Sequence, residues 1–187
     1  MEKPDDGSIT AQKVSRCVIA GSVNSILGGA MSTSTTGQTQ TRGKDVSPEA
    51  ITSFWDLSSD RHLLKDSERL MQIKKGFDAD LFLALRIVFD LPERSFETLF
   101  NVSVFTLQRR RRQLKPLDPV ASERLDRIFY VCHLAQEVFE SRDAAAKWMS
   151  KSNKSLGISA PIMLCETEIG AKQVRRVLQS LAWGGAA

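Results

Sequence analysis

Histidine is scarce in this chain, with only His62 and His133 present, and cysteine is little commoner at three residues, Cys17, Cys132 and Cys165. The cysteines are odd in number, far apart and never paired as CxxC. That excludes a disulfide scaffold, makes a His/Cys metal site unexpected, and suits reduced thiols in a cytoplasm. A phosphate-binding loop is missing too, because Gly28-Gly29 is not followed by Gly-Lys-Ser/Thr. No apolar run approaches the roughly 20 residues that a membrane helix needs. The apolar stretch Val14 to Met31 is broken by Gly21, Ser22, Asn24 and Ser25 and follows mixed charges, so it does not read as an export signal. Cys132 and His133 are adjacent, but a nucleophile and its base must converge, and neighbours on a helix diverge. The expectation is a protein with no catalytic residue, no metal and no cofactor. Strong charge of one sign is also absent: the net charge is +4, so a nucleic-acid surface would have to come from local clustering.

What is present is helical patterning. With 187 residues, 42% of them hydrophobic, the chain can bury one ordinary core or two small ones. Residues 1–47 are poor in large apolar side chains and rich in Ser, Thr, Gly and Gln, and are read as a disordered arm. Ser47-Pro48 then offers a cap and a first-turn proline for a helix carrying Ile51, Phe54, Trp55 and Leu57. A second segment holds Leu63, Leu64, Leu70, Met71 and Ile73 among charges and ends at Lys74-Lys75-Gly76. A third, from Asp78 to Phe89, is apolar almost all round and is expected in the middle of the core.

The densest signal follows. Ser95 to Phe100 reads as a short helix, Asn101 falls where a tight turn needs a left-handed residue, Val102 plugs the corner, and Ser103 caps the next helix. Four consecutive arginines, Arg109 to Arg112, lie on that helix. Leu107 and Leu114, one heptad apart, are expected to pack back on the scaffold. Phe105, Gln108, Arg109 and Arg112 share the outward face. This is a helix-turn-helix arrangement, whose second helix enters the major groove. Arg109 is the first choice for reading guanine and Gln108 for adenine. Arg111, Arg112 and Lys115 suit phosphates. Val104 and Phe105 are apolar residues on this face, fit either for thymine methyls or for cover by another protein surface.

Asp118-Pro119 opens a helix expected to reach about Glu140, with more apolar surface than one neighbour could cover, so it joins the two halves or packs on a second copy. Another short helix starts at Asp143. The last helix, capped by Thr167, buries Val174, Val177, Leu178 and Leu181, while Lys172, Arg175, Arg176 and Gln179 repeat at i, i+3, i+4, i+7. Trp183 then stands at the root of a short glycine-containing tail, a place for tryptophan that calls for something to receive it.

Several fragments in order resemble one family: Thr106-Leu107 with Arg109-Arg110-Arg111, then Ser122-Glu123-Arg124-Leu125, Ala144-Ala145-Ala146-Lys147-Trp148-Met149, Asn153-Lys154-Ser155-Leu156-Gly157, Ala160-Pro161, and Glu166-Thr167-Glu168-Ile169-Gly170-Ala171 with Val174 and Leu178. From about Gly76 to Gly184 the chain is similar to the Xre/MbcA/ParS-type antitoxins of RES–Xre toxin–antitoxin pairs. The resemblance implies an all-α antitoxin that inhibits a RES-domain toxin, an enzyme that consumes NAD. It implies a homodimer within a larger complex, a C-terminal domain that blocks the toxin's active site, and a helix-turn-helix that represses the antitoxin's own operon. The expected organisation is an arm over 1–47, a helix-turn-helix domain over 48–116 and a small helical toxin-binding domain over 117–187. Carried over residue by residue, the operator-DNA face is Ser103, Thr106, Gln108, Arg109 and Arg112, to which the helix read above adds Phe105 and Lys115. The toxin face is Lys172, Arg175, Arg176, Gln179, Trp183 and Gly184, the basic stripe meeting acidic groups at the toxin mouth. The chain departs from the family in carrying Ile158 where a second glycine is common after Gly157, and Val104 and Phe105 where polar residues are usual. The alternative reading is a helix-turn-helix repressor that acts without a toxin partner.

Overall fold

Capping residues followed by proline set where the main helices begin. A computed structural model describes residues 46–184. The arm expected over 1–47 lies, up to residue 45, outside the described residues. The side chain of Ser47 accepts from the Ala50 amide, with Pro48 at the first helical position, and α1 runs Pro48–Ser59. Asp118 accepts from both the Val120 and Ala121 amides at 3.0 Å, and α6 runs Pro119–Phe139. Between them lie a 3-10 turn at Asp60–Leu63, α2 at Asp66–Lys75, α3 at Ala79–Val88, α4 at Glu93–Phe100 and α5 at Val104–Arg112. After α6 come α7 at Arg142–Ser150, a 3-10 turn at Lys154–Leu156, α8 at Pro161–Leu164 and α9 at Glu168–Ala182. Among the described residues every regular element is helical, as the all-α reading expected.

The middle of the core is α6, not α3. The long helix packs against α1, α2 and the first 3-10 turn, and also against α7 and α9. It buries Leu125, Ile128, Phe129, Val131, Cys132 and Ala135 completely. The apolar α3 sits to one side, packed on α1 and α5, with Ile87 exposed and Leu81 and Val88 half-buried. Length explains the difference. At 1.5 Å per residue, the 21 residues of α6 span about 30 Å and the 10 of α3 about 15 Å, so α6 is long enough to pack against elements that precede it and elements that follow it. Phe129 of α6 meets Phe54 of α1 at 5.3 Å and Phe77 at 5.5 Å between ring centroids. Such aromatic pairs add to the burial of their area.

The first 3-10 turn and α2 are held differently. No side chain of α2 is buried, and Leu63, Leu70 and Met71 are exposed. In place of an apolar face, Arg61 is fully buried, lies over the Phe77 and Phe129 rings, and pairs with Asp126 of α6. Arg69 reaches the other Asp126 oxygen at 2.6 Å, and Gln72 Oε1 accepts from Arg61 Nη1 at 2.5 Å. Burial pulls the Arg61 guanidinium below its ordinary pKa, and the Asp126 carboxylate opposes that shift. Ser122, one turn before Asp126, is buried and accepts from the Phe77 amide at 3.0 Å.

His133 continues this side of α6 and stacks on His62, the rings 4.4 Å apart and 6° from parallel. Burial lowers the His133 pKa and the neighbouring His62 lowers it further, while Glu137, 3.4 Å away, works in the other direction. Cys132, next to it, lies in the core with its thiol pushed well up by burial, and burial raises Cys165 to about 12. Among the described residues neither thiol is placed for nucleophilic chemistry.

Two outcomes follow. Replacing Asp126 with Ala leaves Arg61 buried without its counter-charge and should lower unfolding stability by roughly 3–5 kcal/mol in denaturant titrations. A histidine whose folded pKa lies below its unfolded value takes up its proton first in the unfolded chain, so stability falls as pH drops below about 6.5, down to the folded pKa. His133→Gln should flatten that part of the curve of melting temperature against pH, relative to the unsubstituted chain.

Candidate functional site

The turn between α4 and α5 is built as the sequence predicts. Asn101 is left-handed at φ 54° and ψ 35°, and the side chain of Ser103 accepts from the Thr106 amide at 3.1 Å. Two more bonds brace the corner. Glu97 of α4 accepts from the Val104 amide at 3.1 Å, and Arg124 of α6 donates to the Leu99 carbonyl at 2.9 Å. Val104 is buried beside Leu107, so it belongs to the scaffold side of α5 and not to its outward face. Phe105, Gln108, Arg109 and Arg112 are all exposed, Phe105 at 72%. Thr106 is half-buried, bonded to Ser103 through its hydroxyl.

Leu114 overturns its expectation. The helix ends at Arg112, and Leu114 is 91% exposed in the left-handed region at φ 51°. The Lys115 amide bonds back to the Arg110 carbonyl and the Leu114 amide to the Arg111 carbonyl, each at 3.0 Å. This is a helix-ending turn whose left-handed position is most often glycine, and its geometry throws the side chain away from the helix axis. The heptad from Leu107 fails because the helix stops before completing it. Lys115 is exposed beyond the helix end.

The arginine run divides in two. Arg111, expected to hold phosphate, pairs through Nε with Asp80 of α3 at 2.5 Å, and Arg110 donates to the Pro116 carbonyl at 3.4 Å. Arg109 and Arg112 are the exposed members, free of ion pairs among the described residues. The run therefore presents two cations outward and uses two to hold α5 to its neighbours.

The second face is on α9. Gly170 lets α9 approach α8, since a Cβ there would lie 2.1 Å from the Leu164 carbonyl oxygen. Arg127 of α6 bonds to Glu123 and donates to the Cys165 and Glu166 carbonyls, each at 2.9 Å, tying the end of α8 to α6. Of the expected basic stripe, Lys172, Arg176 and Gln179 are exposed. Arg175 is turned inward, paired with Glu168 and lying over the Tyr130 ring of α6. Its charge is already partnered, which takes it out of the outward stripe. Arg176 stands between two shallow hollows. One, of about 420 Å³, is lined by Ser155, Leu156, Gly157, Gln173, Arg176 and Val177. The other, of about 440 Å³, is lined by Arg176, Gln179, Ser180 and Trp183. Trp183 is 89% exposed and Gly184 is exposed beside it.

Sequence reasoning missed Arg61, Asp126, Arg124 and Arg127, which position these faces. The pairing of Glu123 with Arg127 at i, i+4 was a readable signal. Nothing local marks Asp126 as buried.

Two family models match in succession. Residues 68–130 match the antitoxin Xre-like helix-turn-helix domain, and residues 134–184 match the antitoxin Xre/MbcA/ParS C-terminal toxin-binding domain. Antitoxin Xre of Yersinia enterocolitica (serotype O:8, biotype 1B) is 31% identical over 113 residues, a match covering 60% of this chain and 76% of that protein. The chain belongs to the Xre/MbcA/ParS-type antitoxins. This antitoxin is thus a DNA- and toxin-binding regulator and not an enzyme. Helix α5 falls in the first matched region, and α9 in the second. Among the described residues no helix is long and apolar enough to cross a membrane.

The split of the arginine run has a measurable consequence on duplex DNA. Arg112→Ala should flatten the plot of log binding constant against log salt by about 0.9, the loss of one phosphate contact, whereas Arg109→Ala should relax specificity, costing roughly 1–3 kcal/mol at one base pair. Arg111→Ala should leave that slope unchanged.

Proposed function

We propose that this antitoxin neutralises a RES-domain toxin, an NAD-consuming enzyme, in the cytoplasm. The outer face of α9 and Trp183 cover the toxin's active site. The same chain represses its own operon through α5, working as a homodimer inside a larger toxin–antitoxin complex. The observation that carries the occlusion is Trp183. It ends α9 within the matched toxin-binding region, and it is the most exposed large apolar side chain there. An exposed indole beside the unpaired Arg176, with unpaired Lys172 farther back along α9, suits a partner cleft with an apolar floor and an acidic rim. A homodimer would carry two copies of α5 to half-sites one helical turn apart, or a multiple of it, with Arg109 and Gln108 reading bases and Arg112 and Lys115 on phosphates.

Co-expression with the neighbouring reading frame tests partner and mechanism together. The full chain should restore growth and keep cellular NAD high. A chain ending at Leu181 lacks, among the described residues, only the exposed Ala182, Trp183 and Gly184 and should keep its melting temperature, yet allow growth arrest and NAD loss. Unimpaired growth and undiminished NAD with the shortened chain would overturn occlusion by Trp183.

A further inference from the structure

The loop before α8 carries a residue that the chain's own stability does not explain. Residues 153–159 close on themselves. The Asn153 amide donates to the Ser159 carbonyl at 3.1 Å, the Ile158 amide donates to the Asn153 carbonyl at 2.9 Å, and Asn153 Oδ1 accepts from the Ser155 amide at 2.9 Å. Leu156 is buried and roots the loop. Gly157 and Ile158 are both left-handed, at φ 67°. Glycine is at ease there. A β-branched residue is an outlier, because its side chain crowds the backbone. The strain is not repaid by burial, since Ile158 is 74% exposed. Strain of this kind persists at sites where something outside the local fold uses it.

The setting indicates what that is. Gly157, next to Ile158, lines the hollow that Arg176 shares, and the second hollow continues from Arg176 to Trp183. Trp183 thus lines one hollow of a surface that Arg176 joins, and the exposed Ile158 follows directly on Gly157 of the other. Neither Arg176 nor Lys172 is in an ion pair among the described residues. We infer that Ile158 is a second anchor for the toxin, seated in an apolar recess of the toxin beside a carboxylate that meets Arg176, and that it helps set which toxin this antitoxin accepts. This rests on the toxin reading above. The loop and α9 both lie in the matched toxin-binding region.

The test exploits opposite effects on stability and binding. Ile158→Gly and Ile158→Asn both suit the left-handed backbone and remove the apolar group. In full-length chains, both should hold or raise the melting temperature. Both should also need at least tenfold more protein than the unsubstituted chain to displace tagged antitoxin from its complex with the toxin of the neighbouring reading frame. Equal displacement at equal concentration overturns the inference and leaves the toxin reading standing. A lower melting temperature in both variants would mean that the chain's own packing holds Ile158, and overturns it as well. If the unsubstituted chain forms no complex with that toxin, the toxin reading fails and this inference with it.

Discussion

A single buried carboxylate decides how the described part of this protein is assembled. Asp126 sits between Arg61 and Arg69, and through them it holds the first 3-10 turn and α2 to the central helix. Apolar attachment is slight there, because α2 fully buries none of its side chains and packs only the half-buried Ile73 against the core. Arg61 in turn needs the carboxylate, since its guanidinium is enclosed by Phe77 and Phe129, where an unpaired charge would be costly. Opposite charges make the arrangement specific as well as stable. An apolar contact could slide along α6, but a guanidinium that must meet one carboxylate fixes the register of α2 on α6.

Asp126 is one of three charged residues in a single turn of α6 that each fasten a different element. Successive helix residues point about 100° apart, so Arg124, Asp126 and Arg127 project in three directions. Arg124 bonds to the Leu99 carbonyl at the end of α4. Asp126 holds the Arg61 and Arg69 side. Arg127 bonds to the carbonyls that follow α8 and so sets where α9 begins. The turn between α4 and α5 and the start of α9 are thereby positioned from one turn of the same helix, and the two matched family regions meet within that helix.

The sequence makes the local devices of this fold plain. Ser47-Pro48, Asn101, Ser103, Asp118-Pro119 and Thr167 each act through neighbours three or four residues away, so their chemistry can be read without the rest of the chain. What escaped was tertiary. An apolar segment such as α3 looks central by composition, yet the centre goes to the helix long enough to pack against elements that precede it and elements that follow it. Asp126 and Arg61 look like ordinary surface charges because nothing within a helical turn identifies partners 57 and 65 residues away. Arg175 joins an outward stripe by spacing and Arg111 is expected on phosphate by its charge, but a ring or an acid on another element draws each inward. Leu114 failed for a local reason: its heptad assumed a helix that stops two residues earlier.

The departures from local rules are themselves informative. Five residues other than glycine take positive φ among the described residues: Asp90, Asn101, Leu114, Glu140 and Ile158. Asp90, Asn101 and Glu140 follow helix ends and are polar, and Asn and Asp in particular tolerate this conformation. Leu114 and Ile158 are apolar, unsuited to the conformation and almost bare of cover. A sequence shaped only by folding would place glycine at both. Their positions are not random. Leu114 follows α5, just before Lys115, and Ile158 adjoins the hollow beside Arg176. The family resemblance anticipates a second glycine at 158, and this chain forgoes it in an exposed loop of the matched toxin-binding region. Local inconsistency in an otherwise consistent sequence tends to collect at surfaces that serve function, and in this antitoxin its two apolar instances lie at the end of α5 and next to Gly157 of the hollow that Arg176 lines.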